Sequence, residues 1–252
     1  MRANNKICAP LPGALAGGDS QKIYYVLAET PCPYLPGRWE RKLLTEIRGE
    51  GASSYYSLLS RAGFRRSHHY AYRPACEGCN SCVPVRVVAR DFVASRSLRR
   101  IARKNADLHA EVCPAVASQE QFRVFKRYID SRHDDGEMAS MSFDDYRSMV
   151  EQSELETQMV EFRDQEQKLI AACLLDWLDD GPSAVYSFFD PKDCRRSPGI
   201  YMVLWLIEAA RSRQRQNVYL GYWIRETGKM AYKSRFQPLE ALGPRGWQRL
   251  AP

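Results

Sequence analysis

The sequence predicts an α+β chain. Its larger C-terminal half reads as a strand meander followed by a helix and a further strand, and its smaller N-terminal α/β part carries a cysteine loop. Three observations carry this. Residues 156–162, 168–178 and 183–190 alternate as consecutive strands joined by short polar turns, with an apolar helix over 200–211 and a strand over 217–224 after them. Cys76-Glu77-Gly78-Cys79-Asn80-Ser81-Cys82 packs three cysteines into one tight loop, and Cys32 stands alone upstream in Pro31-Cys32-Pro33-Tyr34. The pattern changes near Val112-Cys113-Pro114, which divides the chain into an N-terminal domain, 1–112, and a C-terminal domain, 113–252.

The remaining elements follow in order. Residues 1–20, rich in Gly, Ala and Pro, read as a loose arm. Aromatic and β-branched residues over 23–27 read as a short strand, and the prolines of 31–37 as a loop. The segments 39–47 and 55–59 predict helix, 63–66 the start of a strand, and 83–88 a strand leaving the cysteine loop. A helix is predicted within 91–108, then two more over 118–131 and 142–151, the last opened by Ser142 with Asp144 and Asp145 in its first turn. A short helix over 227–236 and a last strand close the chain.

With 252 residues, 44% hydrophobic, the chain can bury a sizeable core. Its net charge of +7 is not spread evenly. Between Arg61 and Asn105 lie eleven Lys/Arg against only Glu77 and Asp91, so the positive field is local. Arg96, Arg99, Arg100, Arg103 and Lys104 recur at helical spacing. Such a run is either a solvated surface helix or a surface for a phosphate backbone; like charges at i,i+4 repel unless something neutralises them. No apolar run reaches membrane-spanning length, and no apolar stretch follows the N-terminal residues as in an export signal. A reducing cytoplasmic setting is therefore expected, with the cysteines as thiols or metal ligands rather than disulfides.

The order strand, strand, strand, loop, helix, strand, helix is that of an N-acyltransferase (GNAT-like) fold. The loop before its helix, Cys194-Arg195-Arg196-Ser197-Pro198-Gly199, is a partial match to the Arg-x-x-Gly loop that presents backbone N–H groups to a pyrophosphate. A plain helix start capped by Ser197 is the other reading. Gly221 sits inside the strand Val218-Tyr219-Leu220-Gly221-Tyr222-Trp223-Ile224, where glycine weakens a strand unless a ligand or a bulge needs the room. His68 and His69 precede the cysteine loop as ligand candidates or surface residues.

Five segments together resemble the arginyl-tRNA–protein transferase family, and most closely its bacterial aspartate/glutamate leucyltransferase branch. They are Cys32-Pro33-Tyr34-Leu35-Pro36-Gly37, the run from Tyr72 to Arg86 through the cysteine loop, Tyr186-Ser187-Phe188-Phe189-Asp190-Pro191, Tyr219 to Ile224, and Met230 to Glu240. The resemblance implies transfer of an amino acid, leucine in that branch, from aminoacyl-tRNA to proteins beginning with Asp or Glu, marking them for degradation. It implies a GNAT-like domain that uses no acetyl-CoA and needs no cofactor for its chemistry. It also implies a zinc ion or an iron–sulfur cluster at Cys32, Cys76, Cys79 and Cys82, although Leu35 stands where the fuller motif has a further cysteine.

On that reading the catalytic candidates are Asp176, Tyr186 and Tyr222. Asp176 would orient or deprotonate the acceptor amine; the alternative is a turn-proximal surface acid beside Asp179 and Asp180. Arg73 and Arg86 would pair with the acceptor carboxylate. Gly221 and Trp223 would line the aminoacyl end, and Lys229, Tyr232 and Lys233 would meet the tRNA 3′ end. Arg96, Arg99, Arg100, Arg103 and Lys104 would hold the tRNA backbone. The rival readings are an acetyl-CoA-dependent N-acetyltransferase and a non-enzymatic nucleic-acid-binding module.

Overall fold

The computed structural model describes residues 22–132 and 137–250; the arm expected over 1–20 lies outside the described residues. In chain order come β1 (Tyr24–Val26), β2 (Thr30–Pro31), β3 (Trp39–Glu40), β4 (Lys42–Glu46), α1 (Ala52–Arg61), β5 (Arg65–Ser67), β6 (Tyr70–Pro74), β7 (Val83–Val88), α2 (Arg96–Lys104) and β8 (His109–Pro114). Then follow α3 (Gln119–Arg132), α4 (Phe143–Glu151), β9 (Thr157–Arg163), β10 (Leu169–Leu178), β11 (Gly181–Phe189), α5 (Pro198–Ser212), β12 (Asn217–Trp223), β13 (Leu239–Gly243) and β14 (Gly246–Arg249). Among the described residues no helix is long and apolar enough to cross a membrane.

The main sheet has eight strands in the order β14-β13-β7-β12-β11-β10-β9-β8. Its sixth strand, β10, is buried along its whole length, as a strand covered on both faces must be. Side chains alternate along it with period two. Ala171, Cys173, Leu175 and Trp177 join the core under α5, with Met202, Leu206 and Ile207. Ala172 and Leu174 join Val124, Phe125 and Ile129 of α3 and Tyr146 of α4 on the opposite face. The capping box expected at Ser142 is formed with Asp145. A second, four-stranded sheet, β1-β4-β6-β5, meets the main sheet through Ile47, Tyr56, Phe64 and Ala71 packed on Leu178 and Tyr219.

The strand meander, the helix after it and the order of the second half match the sequence reading. Two expectations do not hold. Residues 39–47 form strands, not a helix: β4 lies between β1 and β6, where Leu44 faces Tyr25 on one side and Tyr72 on the other. An amphipathic run this short satisfies either period, and the two flanking strands decided it. The division at 112/113 falls inside β8, whose Val112 and Cys113 pair with Val160 and Met159. Moreover β7, from the N-terminal half, sits between β12 and β13. The two halves of the chain therefore share one sheet.

Candidate active site

The site is built where two adjacent strands part. β11 and β12 run parallel but share only one register pair, Ser183 with Tyr219. At the lower end they are tight: a Cβ on Gly181 would lie 1.8 Å from the Asn217 carbonyl oxygen. Beyond Ser183 both strands bulge. The β10–β11 register slips between Leu174/Tyr186 and Leu175/Ala184, leaving Val185 as the extra residue. The β12–β7 register slips between Tyr219 and Gly221, leaving Leu220. A bulge bends its strand and frees carbonyl groups from the ladder, so β11 and β12 part beyond Ser183, and the space between them is the candidate cleft.

Arg65 of β5 fills the cleft's throat. Its Nη2 donates to the carbonyls of Ala184 (3.1 Å) and Val185 (2.9 Å), the groups the β11 bulge frees. Its guanidinium lies so close over Gly221 that a Cβ there would sit 2.1 Å from Nη1. Gly221 also has φ +72°, a conformation glycine adopts at no steric cost. Of the two reasons expected for this glycine, a ligand or a bulge, the structure shows the bulge, and the room is taken by the Arg65 guanidinium.

Lys233 lies behind the same opening, in the 3₁₀ segment Gly228–Arg235, and is 6% exposed. Its Nζ donates to the Tyr222 carbonyl. Burial, with the nearby Arg65 cation adding to it, pulls its ammonium down to about 7. Three more candidates are tyrosines. The Tyr222 hydroxyl lies between the carbonyls of Gly63 (3.0 Å) and Tyr72 (3.1 Å), and the Tyr72 and Tyr222 rings are 6.4 Å apart. Tyr186 packs on Phe125 at 5.9 Å and Tyr232 on Phe236 at 6.5 Å. Burial raises the hydroxyls of Tyr222 and Tyr186, and that of Tyr232 to about 12, so all three are neutral hydrogen-bonding groups at physiological pH. Tyr34, from the loop that carries Cys32, is close enough to feel Tyr72 and Arg65.

The structure thus gathers Gly221, Tyr222, Tyr232 and Lys233 around Arg65, while Tyr186 packs on Phe125 in the core under α3. The side chain of Lys229 lies outside the described residues. Other candidates lie elsewhere. Asp176 is fully buried: Arg66 grips both its oxygens at 2.7 and 2.9 Å, and Thr157 donates to it at 2.6 Å. It is neither a surface acid nor free to meet an amine. Arg86 is held by Glu240 at 2.8 Å, stands 3.7 Å from Asp180 and stacks on Trp247 at 4.4 Å, so its charge is already answered within the protein. Arg73 is exposed on β6, over the Phe64 ring at 5.4 Å, and has no carboxylate partner among the described residues. Trp223 points to the cysteine loop and lines a shallow depression of about 440 Å³ with Arg38, Cys79, Ser81 and Arg225. Arg65 escaped the sequence reading, which took it only as the start of a strand. The legible signal was its neighbour: adjacent arginines on a strand face opposite ways, here one to Asp176 and one to the cleft.

The basic helix is amphipathic, with Leu98 and Ile101 buried and a Ser95 cap accepting from the Leu98 N–H. Arg96, Arg99, Arg100, Arg103 and Lys104 are all exposed, and none pairs with a carboxylate among the described residues. In contrast, Arg196 of the partial Arg-x-x-Gly loop is paired with Asp107 and also donates to the Lys104 carbonyl. Ser197, at the start of α5, makes no side-chain cap.

The four cysteines come from two facing loops. Cys32 lies between β2 and β3, and Cys76, Cys79 and Cys82 between β6 and β7; all four are free thiols. Burial raises Cys82 to about 12, and the thiols of Cys32, Cys76 and Cys79 add to the shift, so the four lie in one neighbourhood. Hydrogen bonds from Ser81, with help from Arg38, lower Cys79. As a donor set, four thiols suit a soft ion. Among the described residues, however, the only three potential ligands within 4.8 Å of one another are Glu111, Cys113 and Glu161. In that trio Glu161 is already bound by Gln121 (2.7 Å) and Arg163 (2.5 Å). His69 lies 3.9 Å from Glu46, away from the cysteines.

The chain is similar to known proteins along most of its length. The model described as "Arginine-tRNA-protein transferase, N terminus" matches residues 30–100, and its C-terminal counterpart matches residues 120–243. An aspartate/glutamate leucyltransferase of Paramagnetospirillum magneticum is 58% identical over 91% of this chain and 94% of its own length. One of Rhodospirillum rubrum is 52% identical over 89% of this chain and 92% of its own. Among solved structures, FemX superposes with a TM-score of 0.45 at 9% identity, over 85% of this chain and 79% of that one. The two matched segments and the near full-length relatives place the chain in the arginine-tRNA-protein transferase family.

Proposed function

We propose that this protein transfers leucine from leucyl-tRNA to the N-terminal Asp or Glu of acceptor proteins, in the cytoplasm, so marking them for degradation. The observation that carries the reading to a site is the cleft between the parted strands β11 and β12, with Arg65 held against Gly221 at its throat. An aminoacyl ester is already activated, so the enzyme needs no nucleophile of its own. The acceptor's amino nitrogen attacks the ester carbonyl carbon. A carbon–nitrogen bond forms, the carbon–oxygen bond to the terminal ribose breaks, and the ribose hydroxyl leaves with the proton that the amine gives up. An N-terminal amine has a pKa of about 8, so a usable fraction is already neutral, and positioning supplies much of the rate.

The neutral tyrosines 222 and 232 are suited to wall the aminoacyl end. The tRNA backbone is assigned to the exposed face of α2, whose cations have no carboxylate partners. A zinc ion or iron–sulfur cluster held by Cys32, Cys76, Cys79 and Cys82 would pin the two loops that carry Tyr34 and β7; no step of the transfer passes through it. Arg196, bound to Asp107, speaks against the acetyl-CoA reading.

The test is incubation with leucyl-tRNA or arginyl-tRNA and peptides beginning with Asp, Glu or Ala, read by mass spectrometry. One leucine residue added to the Asp and Glu peptides alone is the expected result. An acetyl group added from acetyl-CoA, or no product from any donor, would overturn the proposal. For the helix, Arg99→Ala with Arg100→Ala is expected to weaken tRNA binding and to lower the slope of log affinity against log salt by about 2. An unchanged slope would leave α2 a solvated surface helix.

A further inference from the structure

Two cations, the buried Lys233 and the half-buried Arg65, stand near each other with no carboxylate to balance them among the described residues. Arg65 has its Nη2 on the carbonyls of Ala184 and Val185, and Lys233 has its Nζ on the Tyr222 carbonyl. Neither pairs with a carboxylate among the described residues, whereas Arg66, next in sequence to Arg65, is fully matched by Asp176. A buried charge is costly unless it is paired. Two like charges side by side are costlier, and Arg65 is among the causes that pull the Lys233 ammonium down. An arrangement this unfavourable in the free protein is suited to a ligand that brings negative charge. The cations are also fixed in place: Gly221 leaves room for the guanidinium and two carbonyls hold it.

We infer that Arg65 and Lys233 form the pocket that binds the side-chain carboxylate of the acceptor's first residue, and that they set the preference for Asp and Glu. The assignment rests on the transfer reaction proposed above. Chemistry selects the carboxylate over a phosphate. The reacting end of aminoacyl-tRNA is an ester on the terminal ribose and carries no negative charge; its nearest phosphate lies on the far side of that ribose. The acceptor, in contrast, bears its carboxylate only one or two carbons from the carbon that holds the attacking amine. An anion buried beside the reacting atoms therefore belongs to the acceptor. A planar carboxylate also matches the guanidinium fork, with the Lys233 ammonium as a second donor. Docking there fixes the amine relative to the ester, so recognition and orientation come from one contact.

The test is kcat/KM for peptides that differ only in beginning with Asp or Asn, measured with leucyl-tRNA for the full chain, Lys233→Met and Arg65→Lys. The full chain is expected to favour Asp strongly. Lys233→Met should lose about 30- to 1,000-fold on the Asp peptide, as when one partner of a buried charged contact is removed, and little on the Asn peptide. Its affinity for tRNA should be unchanged. It should also unfold at a higher temperature than the parent, because an unbalanced buried charge is gone. Arg65→Lys keeps the charge but loses the fork, so it should lower the Asp/Asn ratio less. An Asp/Asn ratio unchanged in Lys233→Met overturns the assignment. So does an equal loss on both peptides with weakened tRNA binding, which would place a tRNA phosphate on the pair. Absence of transfer by the unaltered chain would instead refute the proposed function itself.

Discussion

Asp176→Asn is expected to destabilise the protein by about 3–5 kcal/mol while leaving the transfer step of the folded fraction nearly intact. Both Asp176 oxygens are gripped by Arg66, the side chains of this pair are fully buried, and Thr157 donates to the same carboxylate. The amide removes the charge that answers the Arg66 guanidinium and replaces one acceptor with a donor facing a donor. A domain has only about 5–15 kcal/mol of stability to lose, so the effect is large. The contact also joins β5 to β10, one sheet to the other. Urea denaturation compared with single-turnover transfer at low temperature checks this. A loss of turnover with an unchanged unfolding midpoint would restore Asp176 as a group that handles the amine. Arg66→Met combined with Asp176→Leu removes both charges and should recover most of the loss, since replacing a buried pair by apolar groups is often neutral.

Gly221→Ala should have the opposite profile, a large loss of activity with a smaller loss of stability. The added methyl has nowhere to go: Arg65 Nη1 is 2.1 Å from the Cβ position and its Cζ 2.4 Å. The φ of +72° adds strain of about 1–3 kcal/mol for any residue with a Cβ. The least costly relaxation moves the guanidinium off the Ala184 and Val185 carbonyls and out of the throat. We expect kcat/KM to fall by about 100-fold or more, since misplacement by about 1 Å can have that effect. The unfolding free energy should fall by only the strain. Steady-state kinetics beside thermal unfolding checks both. Activity within a few-fold of the parent would mean that Arg65 does not act from this position.

What was legible from sequence follows from how far each signal reaches. Period-two alternation is local, so β9, β10 and β11, and the helix and strand after them, could be read from the chain. The basic face of α2 and the cap at Ser142 are equally local. Gly221 could be singled out because glycine in a strand interior asks for a reason, though not for which one. The short strand β4 was not legible, because its partners β1 and β6 lie outside any local window. Nor was the sharing of one sheet by both halves, since the pairing of β7 with β12 joins residues more than a hundred positions apart.

The sequence alone determined the class of fold, the local concentration of charge, the cysteine loop and, through motif order, the family. Tertiary structure alone decided which charges are free. Asp176, Arg86 and Arg65 look alike in sequence as ionisable residues on strands. Asp176 is matched by Arg66 and Arg86 by Glu240, while Arg65 donates to backbone carbonyls and has no carboxylate partner among the described residues, with Lys233 nearby. Whether a charge is answered depends on its neighbours in space, through a Coulomb interaction that strengthens as water is excluded, and a sequence pattern carries neither quantity.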